Sequence, residues 1–163
     1  MIIVFEGPDN TGKTTAALAI AKALRAVFMK VERPKAGNDL KTFCRIVEVA
    51  QAYSGTVVLD RHVAISEPIY GRIIRGKHDL NPSAVLAALT SIDLCIYCRP
   101  PTDVIKKTLK DRPQMDGVVE HTQSIIDAYD AFFDAAPYNT WDVYDFTSHS
   151  EKVLLERIQA HVT

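Results

Sequence analysis

Residues 7–14 of this chain read Gly7-Pro8-Asp9-Asn10-Thr11-Gly12-Lys13-Thr14, which matches the pattern G-x-x-x-x-G-K-[ST] in full. An apolar segment of strand length, Ile2–Phe5, precedes the motif, and a segment with helical periodicity follows it from Lys13 to about Val27. Glycines let such a loop curl so that its backbone N–H groups point inward, and the N-terminus of the following helix adds a partial positive charge. The stretch therefore predicts a loop that binds the phosphates of a purine nucleoside triphosphate.

The side chains of this loop predict more specific contacts. We expect Lys13 to reach the β- and γ-phosphates and the Thr14 hydroxyl to bind Mg²⁺, so ATP and Mg²⁺ are the expected cofactors. The residues expected to contact the nucleotide are Gly7, Asn10, Thr11, Gly12, Lys13, Thr14 and Thr15. The motif does not say what happens to the phosphate, because switches, transporters and kinases share it.

Composition limits the class of protein. The chain has 163 residues, enough for one domain over 1–163, with 47% hydrophobic residues and a formal net charge of −1. This balance favours neither a nucleic acid nor a membrane as partner. The apolar start, Met1–Phe5, is short and lacks a preceding basic region, so we expect no signal peptide.

The three cysteines are an odd number and do not suggest a disulfide framework, which favours a reducing cytoplasm. Cys95 and Cys98 form a C-x-x-C pattern, but they fall in an apparent strand, where positions three apart point to opposite faces. We therefore interpret them as core residues rather than as a redox or metal pair.

The rest of the chain alternates between strand-like and helix-like segments. Expected strands are Phe28–Glu32, Thr56–Leu59, Ile92–Cys98 and Asp142–Phe146, and expected helices are Leu40–Tyr53, Val63–Ile74, Asn81–Leu89, Thr102–Lys110, Glu120–Ala135 and Ser150–Val162. This alternation predicts a three-layer α/β fold with about five parallel strands and helices on both faces. Ligands of such sheets bind beyond the carboxyl ends of the strands.

A second polar cluster, Asp60-Arg61-His62, directly follows the third strand and so should lie near the phosphate loop. Asp60 can hold Mg²⁺ directly or through water, and Arg61 can clamp a phosphate bidentately. The alternative is an Asp–Arg ion pair that caps the next helix. For His62, core packing or solvent exposure is favoured over contact with a ligand.

With these residues in place, the sequence resembles thymidylate kinases and the related nucleoside monophosphate kinases of the P-loop class. The matching pieces are Phe5–Thr15, Val58–His62, Ser66, Tyr70-Gly71, Asp93–Tyr97 and Asp142–Ile158. The resemblance covers essentially the whole chain, which is shorter than usual and would suit a compact viral or phage-type member. It implies phosphorylation of a deoxynucleoside monophosphate to the diphosphate, with thymidine as the default base. It also implies a homodimer.

The resemblance assigns roles on the acceptor side. Asp9 faces the acceptor nucleotide, Arg61 clamps its phosphate, and Tyr70 lies beside its sugar. Phe43 and Arg45 would stack on and read the base, although Phe43 is equally well explained as core. The family carries an arginine near the end of its second strand, and Arg33 or Lys35 would fill that role here.

The same resemblance places a mobile lid at about residues 106–119, with Lys106, Lys110 and Arg112 as its cations. The alternative is a solvated helix face. Lys13, Arg61 and Arg112 would neutralise charge on the transferred phosphoryl group, with Asp9 beside them as a catalytic residue.

Other functions stay open at the level of sequence. A deoxynucleoside kinase would phosphorylate a hydroxyl and needs a general base, and Glu32 lies near the position of that base in deoxynucleoside kinases. A nucleotide-binding switch without a small acceptor would leave Asp9 and Arg61 without a role. A polynucleotide kinase is disfavoured by the absence of a basic patch. Small nucleotides are the expected partners.

Overall fold

A computed structural model of the protein describes residues 1–31, 40–111, 113–135 and 141–162, without the side chains of residues 40–43 and 162. No helix within these ranges is both long enough and apolar enough to cross a membrane. The strands are β1 (Ile2–Glu6), β2 (Val27–Lys30), β3 (Val57–Asp60), β4 (Leu94–Cys98) and β5 (Trp141–Tyr144). The helices are α1 (Lys13–Leu24), α2 (Leu40–Ala52), α3 (Val63–Arg75), α4 (Pro82–Leu89), α5 (Thr102–Lys110), α6 (Thr122–Asp134) and α7 (Glu151–Val162).

The five strands form one sheet in the order β2-β3-β1-β4-β5, and each neighbouring pair is parallel. The expected five-stranded parallel sheet is confirmed. Phe5 of β1 and Lys30 of β2 both pair with Asp60 of β3. The carboxyl ends of these three strands therefore meet at one edge of the sheet, where the sequence predicts the ligand.

Helices cover both faces of the sheet. Ile3 and Phe5 of β1 pack in a cluster with buried residues of α1 and α7, whereas Val4 packs in a cluster with buried residues of α3, α5 and α6. Because both faces of β1 are buried, its residues are apolar without alternation until Glu6. Cys95 and Cys98 belong to these two different clusters, which confirms that they are core residues on opposite faces.

The first helix ends earlier than the periodicity predicts. We expected α1 to run to about Val27, but it ends at Leu24 because Arg25 takes a left-handed conformation with φ 53°. Val27 instead begins β2 and pairs with Val57. The other bounds agree with expectation to within two residues. Glu32, the expected end of β2, lies outside the described residues.

Candidate active site

The phosphate loop joins β1 to α1 and depends on its first glycine. Gly7 has φ 139°, and a Cβ atom at this position would lie 2.5 Å from the carbonyl oxygen of Cys98 at the end of β4. The loop therefore presses against the neighbouring strand where only glycine fits. Gly12, with φ 80°, is the N-cap of α1 and has no side chain to compete for the N–H groups of its first turn.

Gly7→Ala is expected to destabilise the fold more than a matched glycine substitution. Gly76 also has a positive φ, of 73°, but no atom lies within 4 Å of its Cβ position. Gly76→Ala should therefore cost only backbone strain, about 1–2 kcal/mol in the free energy of unfolding. Gly7→Ala adds a clash with backbone and should cost several times more, as urea denaturation would measure. Equal losses for the two variants would contradict this account of the loop.

Lys13 is folded back onto its own loop. Its side chain donates hydrogen bonds to the carbonyl oxygen of Pro8 and, over 3.2 Å, to the hydroxyl of Thr11. Lys13 is only 6% exposed, and burial, together with the charge of Arg61, lowers the pKa of its ammonium group to about 8. A positive charge held at this depth is incompletely compensated and would gain from an anionic ligand.

Thr14 and Asp60 bring two oxygen atoms together at the start of α1. The Thr14 hydroxyl donates to Oδ2 of Asp60 over 2.5 Å, and Asp60 is buried at the end of β3. A hydroxyl and a carboxylate are ligands that suit Mg²⁺, which usually completes its shell with phosphate oxygens and water. No larger group of acidic, histidine or cysteine ligands occurs in the described ranges. The pair therefore fits a magnesium ion that is shared with a phosphate ligand.

Arg61 projects into the same space and is held by Asp9 and Tyr70. Its Nη2 donates to Oδ1 of Asp9 over 2.5 Å, and the Tyr70 hydroxyl donates to the other oxygen of that carboxylate over 2.8 Å. The guanidinium carbon of Arg61 also lies 5.2 Å from the centre of the Tyr70 ring. Burial alone would raise the pKa of Asp9, but the charges of Arg61 and Lys13 outweigh burial and lower it. Asp9 is therefore a stable counterion for both cations.

A fully buried carboxylate, Glu6, supports Arg61 from below. Glu6 accepts hydrogen bonds from the backbone N–H of His62 over 2.6 Å, from the N–H of Gly7, and from the Tyr129 hydroxyl over 2.9 Å. The Tyr129 oxygen in turn accepts from Nη1 of Arg61 over 3.1 Å. Burial raises the pKa of Glu6, and the charge of Arg61 partly offsets this. The network fixes Arg61 in a left-handed backbone conformation, with φ 75°.

These groups surround one cleft of about 670 Å³ at the carboxyl edge of the sheet. Most of the predicted site residues line it: Asp9, Asn10, Thr11, Gly12, Lys13, Thr14, Thr15, Asp60, Arg61 and Tyr70. Gly7 contributes through its backbone, as described above. Further lining residues that were not predicted as site residues include Lys30, Val31, Ser66, Glu67 and Arg75. We call the part lined by Ser66, Glu67, Tyr70 and Arg75 the α3 side of the cleft.

The remaining predicted residues have different outcomes. Arg45 lies exposed on α2 and is not among the lining residues. Arg33, Arg112 and the side chain of Phe43 lie outside the described residues. His62 is buried, which is one of the two situations that the sequence favoured over contact with a ligand, and its Nδ1 accepts from the N–H of Ala64 to cap α3.

Comparisons with known proteins show which known fold the chain shares. No protein-family model and no curated protein matches the chain. Among solved structures, YorR of Bacillus subtilis is 21% identical with a TM-score of 0.76, covering 99% of this chain and 95% of YorR. Deoxyadenosine kinase of M. mycoides is 19% identical with a TM-score of 0.67, covering 99% of both chains. Thymidylate kinase of Ehrlichia chaffeensis is 15% identical with a TM-score of 0.60, covering 100% and 98%. The chain has the fold of the P-loop kinases.

Within this P-loop kinase fold, the segment expected to form a lid divides into two parts. Lys106, Lys107 and Lys110 are exposed on α5, and none of them lines the cleft. The residues Pro113–Met115, later in the same segment, do line it. The three described lysines of this segment therefore lie on an exposed helix face, whereas the loop residues Pro113–Met115 border the cleft.

Proposed function

We propose that the protein is a nucleoside monophosphate kinase that transfers the γ-phosphoryl group of ATP to a deoxynucleoside monophosphate. One observation carries the proposal: two cationic groups from different segments, Lys13 and Arg61, meet in a single cleft around the carboxylate of Asp9. A phosphate loop needs only the first cation to bind ATP. The second, Arg61, which follows β3, provides for a second phosphate.

The chemistry follows from this division of charge. Phosphoryl transfer passes through a loose transition state in which negative charge spreads over the transferred group. Lys13 binds the donor phosphates, and Arg61 orients the acceptor phosphate toward them. A magnesium ion held by Thr14 and Asp60 would neutralise the donor phosphates. Since a phosphate acceptor is already nucleophilic, the site requires no strong general base.

The buried hydrogen-bond network beneath Arg61 supports its assignment to the acceptor phosphate. Glu6 and Tyr129 hold one side of the guanidinium, and Asp9 and Tyr70 hold the other. An arginine fixed on two sides is preorganised, so it loses little side-chain entropy when the acceptor binds. Tyr70, whose ring lies under the guanidinium, is the group proposed to contact the acceptor sugar.

The names of the structural neighbours are compatible with a small nucleotide as ligand. The YorR structure is described as a complex with phosphorylated GDP, and the deoxyadenosine kinase contains dATP. Thymidine is the base implied by the sequence resemblance. Arg33, Phe43, Arg45 and Arg112 remain proposals for the acceptor site and for catalysis.

A deoxynucleoside kinase is the second candidate, because the deoxyadenosine kinase matches with a higher TM-score than the thymidylate kinase. A hydroxyl acceptor gains about 10²–10⁴-fold in rate from a general base. Glu32 is the proposed base in that case. Glu32→Gln should then abolish turnover, whereas a monophosphate kinase should tolerate it.

The deciding experiment is a coupled assay of ADP release from ATP and Mg²⁺ with the full chain. Each of the four deoxynucleosides and their monophosphates would be offered separately, with an acceptor-free reaction as baseline. Stimulation by at least one monophosphate, with the diphosphate as product, would support the proposal. Stimulation by nucleosides alone would favour the second candidate, and no stimulation by any acceptor would contradict both.

A further inference from the structure

An ion pair on the α3 side of the cleft has no part in the phosphate chemistry described above. The guanidinium of Arg75 donates through Nη2 to Oε1 of Glu67, eight residues earlier on the same helix. Glu67 is only 9% exposed, and both residues line the cleft. A buried ion pair is weak evidence for stability, because its desolvation can exceed the attraction between its charges. Its position in a ligand cleft favours a role in binding.

The backbone makes room for this pair. Gly71 lies four residues after Glu67 and four before Arg75, so the three positions share one face of α3. A Cβ atom at Gly71 would lie 3.0 Å from Nη2 of Arg75 and 2.8 Å from Cβ of His78. The guanidinium thus crosses the helix where a side chain is missing. This keeps Arg75 folded back along α3 toward the cleft.

The pair still has hydrogen-bonding capacity. Nη1 of Arg75 is a buried atom without a hydrogen-bond partner among the described residues. A carboxylate has about four acceptor sites, and Glu67 uses one of them for Arg75. A rotation of the partly exposed Arg75 side chain that turns Nη1 toward the cleft would place a donating nitrogen beside an acceptor group that can take two more donors. A ligand that fits would present one acceptor next to two donors.

The Watson–Crick edge of guanine presents this combination of one acceptor and two donors. Its O6 accepts, and its N1–H and N2–H₂ donate side by side. Thymine and uracil place a second carbonyl where the second donor should be, and adenine offers a single donor group beside a ring acceptor. Cytosine needs two donor nitrogens from the protein, for N3 and O2, whereas Nη1 is the one nitrogen of Arg75 identified as lacking a partner among the described residues, and Nη2 already donates one of its N–H bonds to Glu67. Among the common bases, guanine satisfies the free groups most fully.

The position of the pair is also suitable for a base. Arg61 precedes α3, and Tyr70, which contacts Arg61 and Asp9, lies between Glu67 and Arg75 in sequence. A nucleotide whose phosphate is bound at Arg61 can extend along α3 past the Tyr70 ring. Its base would then reach the Glu67–Arg75 pair.

We propose that Glu67 and Arg75 determine the base specificity of the acceptor and that the preferred base is guanine. This inference rests on the proposed monophosphate kinase function and departs from the thymidine implied by the sequence resemblance. Glu67 accepts from N1–H and N2–H₂, and Arg75 donates to O6.

The test compares kcat/KM for dGMP, dIMP and dTMP, since dIMP differs from dGMP only in lacking the N2 amino group. The wild type should prefer dGMP over dIMP by at least about 10-fold, and over dTMP by about 10- to 100-fold. Glu67→Gln should bring the dGMP to dIMP ratio close to one. Arg72→Gln, an exposed arginine on the same helix, serves as the control and should keep the wild-type ratio.

A second variant guards against misfolding of the first. Glu67→Gln with Arg75→Gln removes both charges, so neither is left buried alone, and it should show the same loss of preference. If the wild type phosphorylates a monophosphate but these variants slow all nucleotides equally, the pair is structural and this inference is wrong. A wild-type preference for another base would also overturn it. If the wild type phosphorylates no monophosphate, the proposed function itself fails.

Discussion

Lys13→Met should abolish phosphoryl transfer while leaving the protein folded. Lys13 is the cation of the phosphate loop, and among the described residues its ammonium group donates to the Pro8 carbonyl and the Thr11 hydroxyl alone. Removing one preorganised donor from a transition state costs about 10²–10³-fold in rate, and a full positive charge on the transferred group can be worth about 10³–10⁵-fold. We expect kcat to fall by at least about 10³-fold in the ADP-release assay.

The stability of the same variant should not fall in parallel. Burial lowers the pKa of Lys13 to about 8, so the folded protein holds this charge at a cost. Methionine has a similar length and no charge to desolvate, so the free energy of unfolding should be unchanged or higher. Lys22→Met, at an exposed position of the same helix, is the matched control and should retain full activity. A folded Lys13→Met protein with more than a tenth of wild-type activity would refute the assigned role.

The phosphate loop and the parallel sheet could be predicted from the sequence because both depend on local patterns. Residues 7–14 contain the glycines that the loop conformation requires. The strand segments that lead to Gly7 and to Asp60 are continuous apolar runs. The residues that follow the strands, Asp9 and Asp60–Arg61, could therefore be predicted to meet. In the structure they line the same cleft.

The partners beneath and beside that cluster could not be predicted in the same way. Glu6 and Tyr129 are 123 positions apart, and their contact depends on how α6 packs against β1. Tyr129 lies on the buried side of α6 with Ile125, Ile126 and Phe133, so helical periodicity alone indicates core packing and no polar contact. The one available signal was the charge of Glu6 at the end of a fully buried strand, which demands hydrogen-bond partners.

The Glu67–Arg75 pair escaped prediction for a different reason. An ion pair eight residues apart does not match the usual i,i+4 spacing, and it forms here because Gly71 leaves the helix face open. Likewise, α1 ends at Leu24 because the next residue, Arg25, is left-handed, and arginine rarely adopts that conformation and so gives no stop signal. Neither feature is visible in the hydrophobic periodicity from which the helices were predicted.

Arg61→Lys is expected to impair the reaction with the acceptor while leaving ATP binding nearly unchanged. Lysine keeps the charge but cannot contact Asp9 and Tyr129 at once, as the two nitrogen atoms of the Arg61 guanidinium do. The positive charge should therefore no longer be held in the position that faces the acceptor phosphate. We expect kcat/KM for the acceptor to fall by about 10²–10³-fold, while the KM for ATP changes little. Steady-state kinetics with each substrate varied in turn would measure both.

Two further variants make this result specific. Arg99→Lys is the matched control, since Arg99 also pairs with a carboxylate, that of Asp130, but does not line the cleft, and the variant should keep wild-type kinetics. Tyr129→Phe removes the hydroxyl between Glu6 and Arg61 without touching either charge. It should raise the acceptor KM in the same direction as Arg61→Lys but by a smaller factor, because Asp9 still holds the guanidinium. Equal losses for ATP and the acceptor in Arg61→Lys would instead assign Arg61 to the donor phosphates, and the cleft would then lack its second phosphate site.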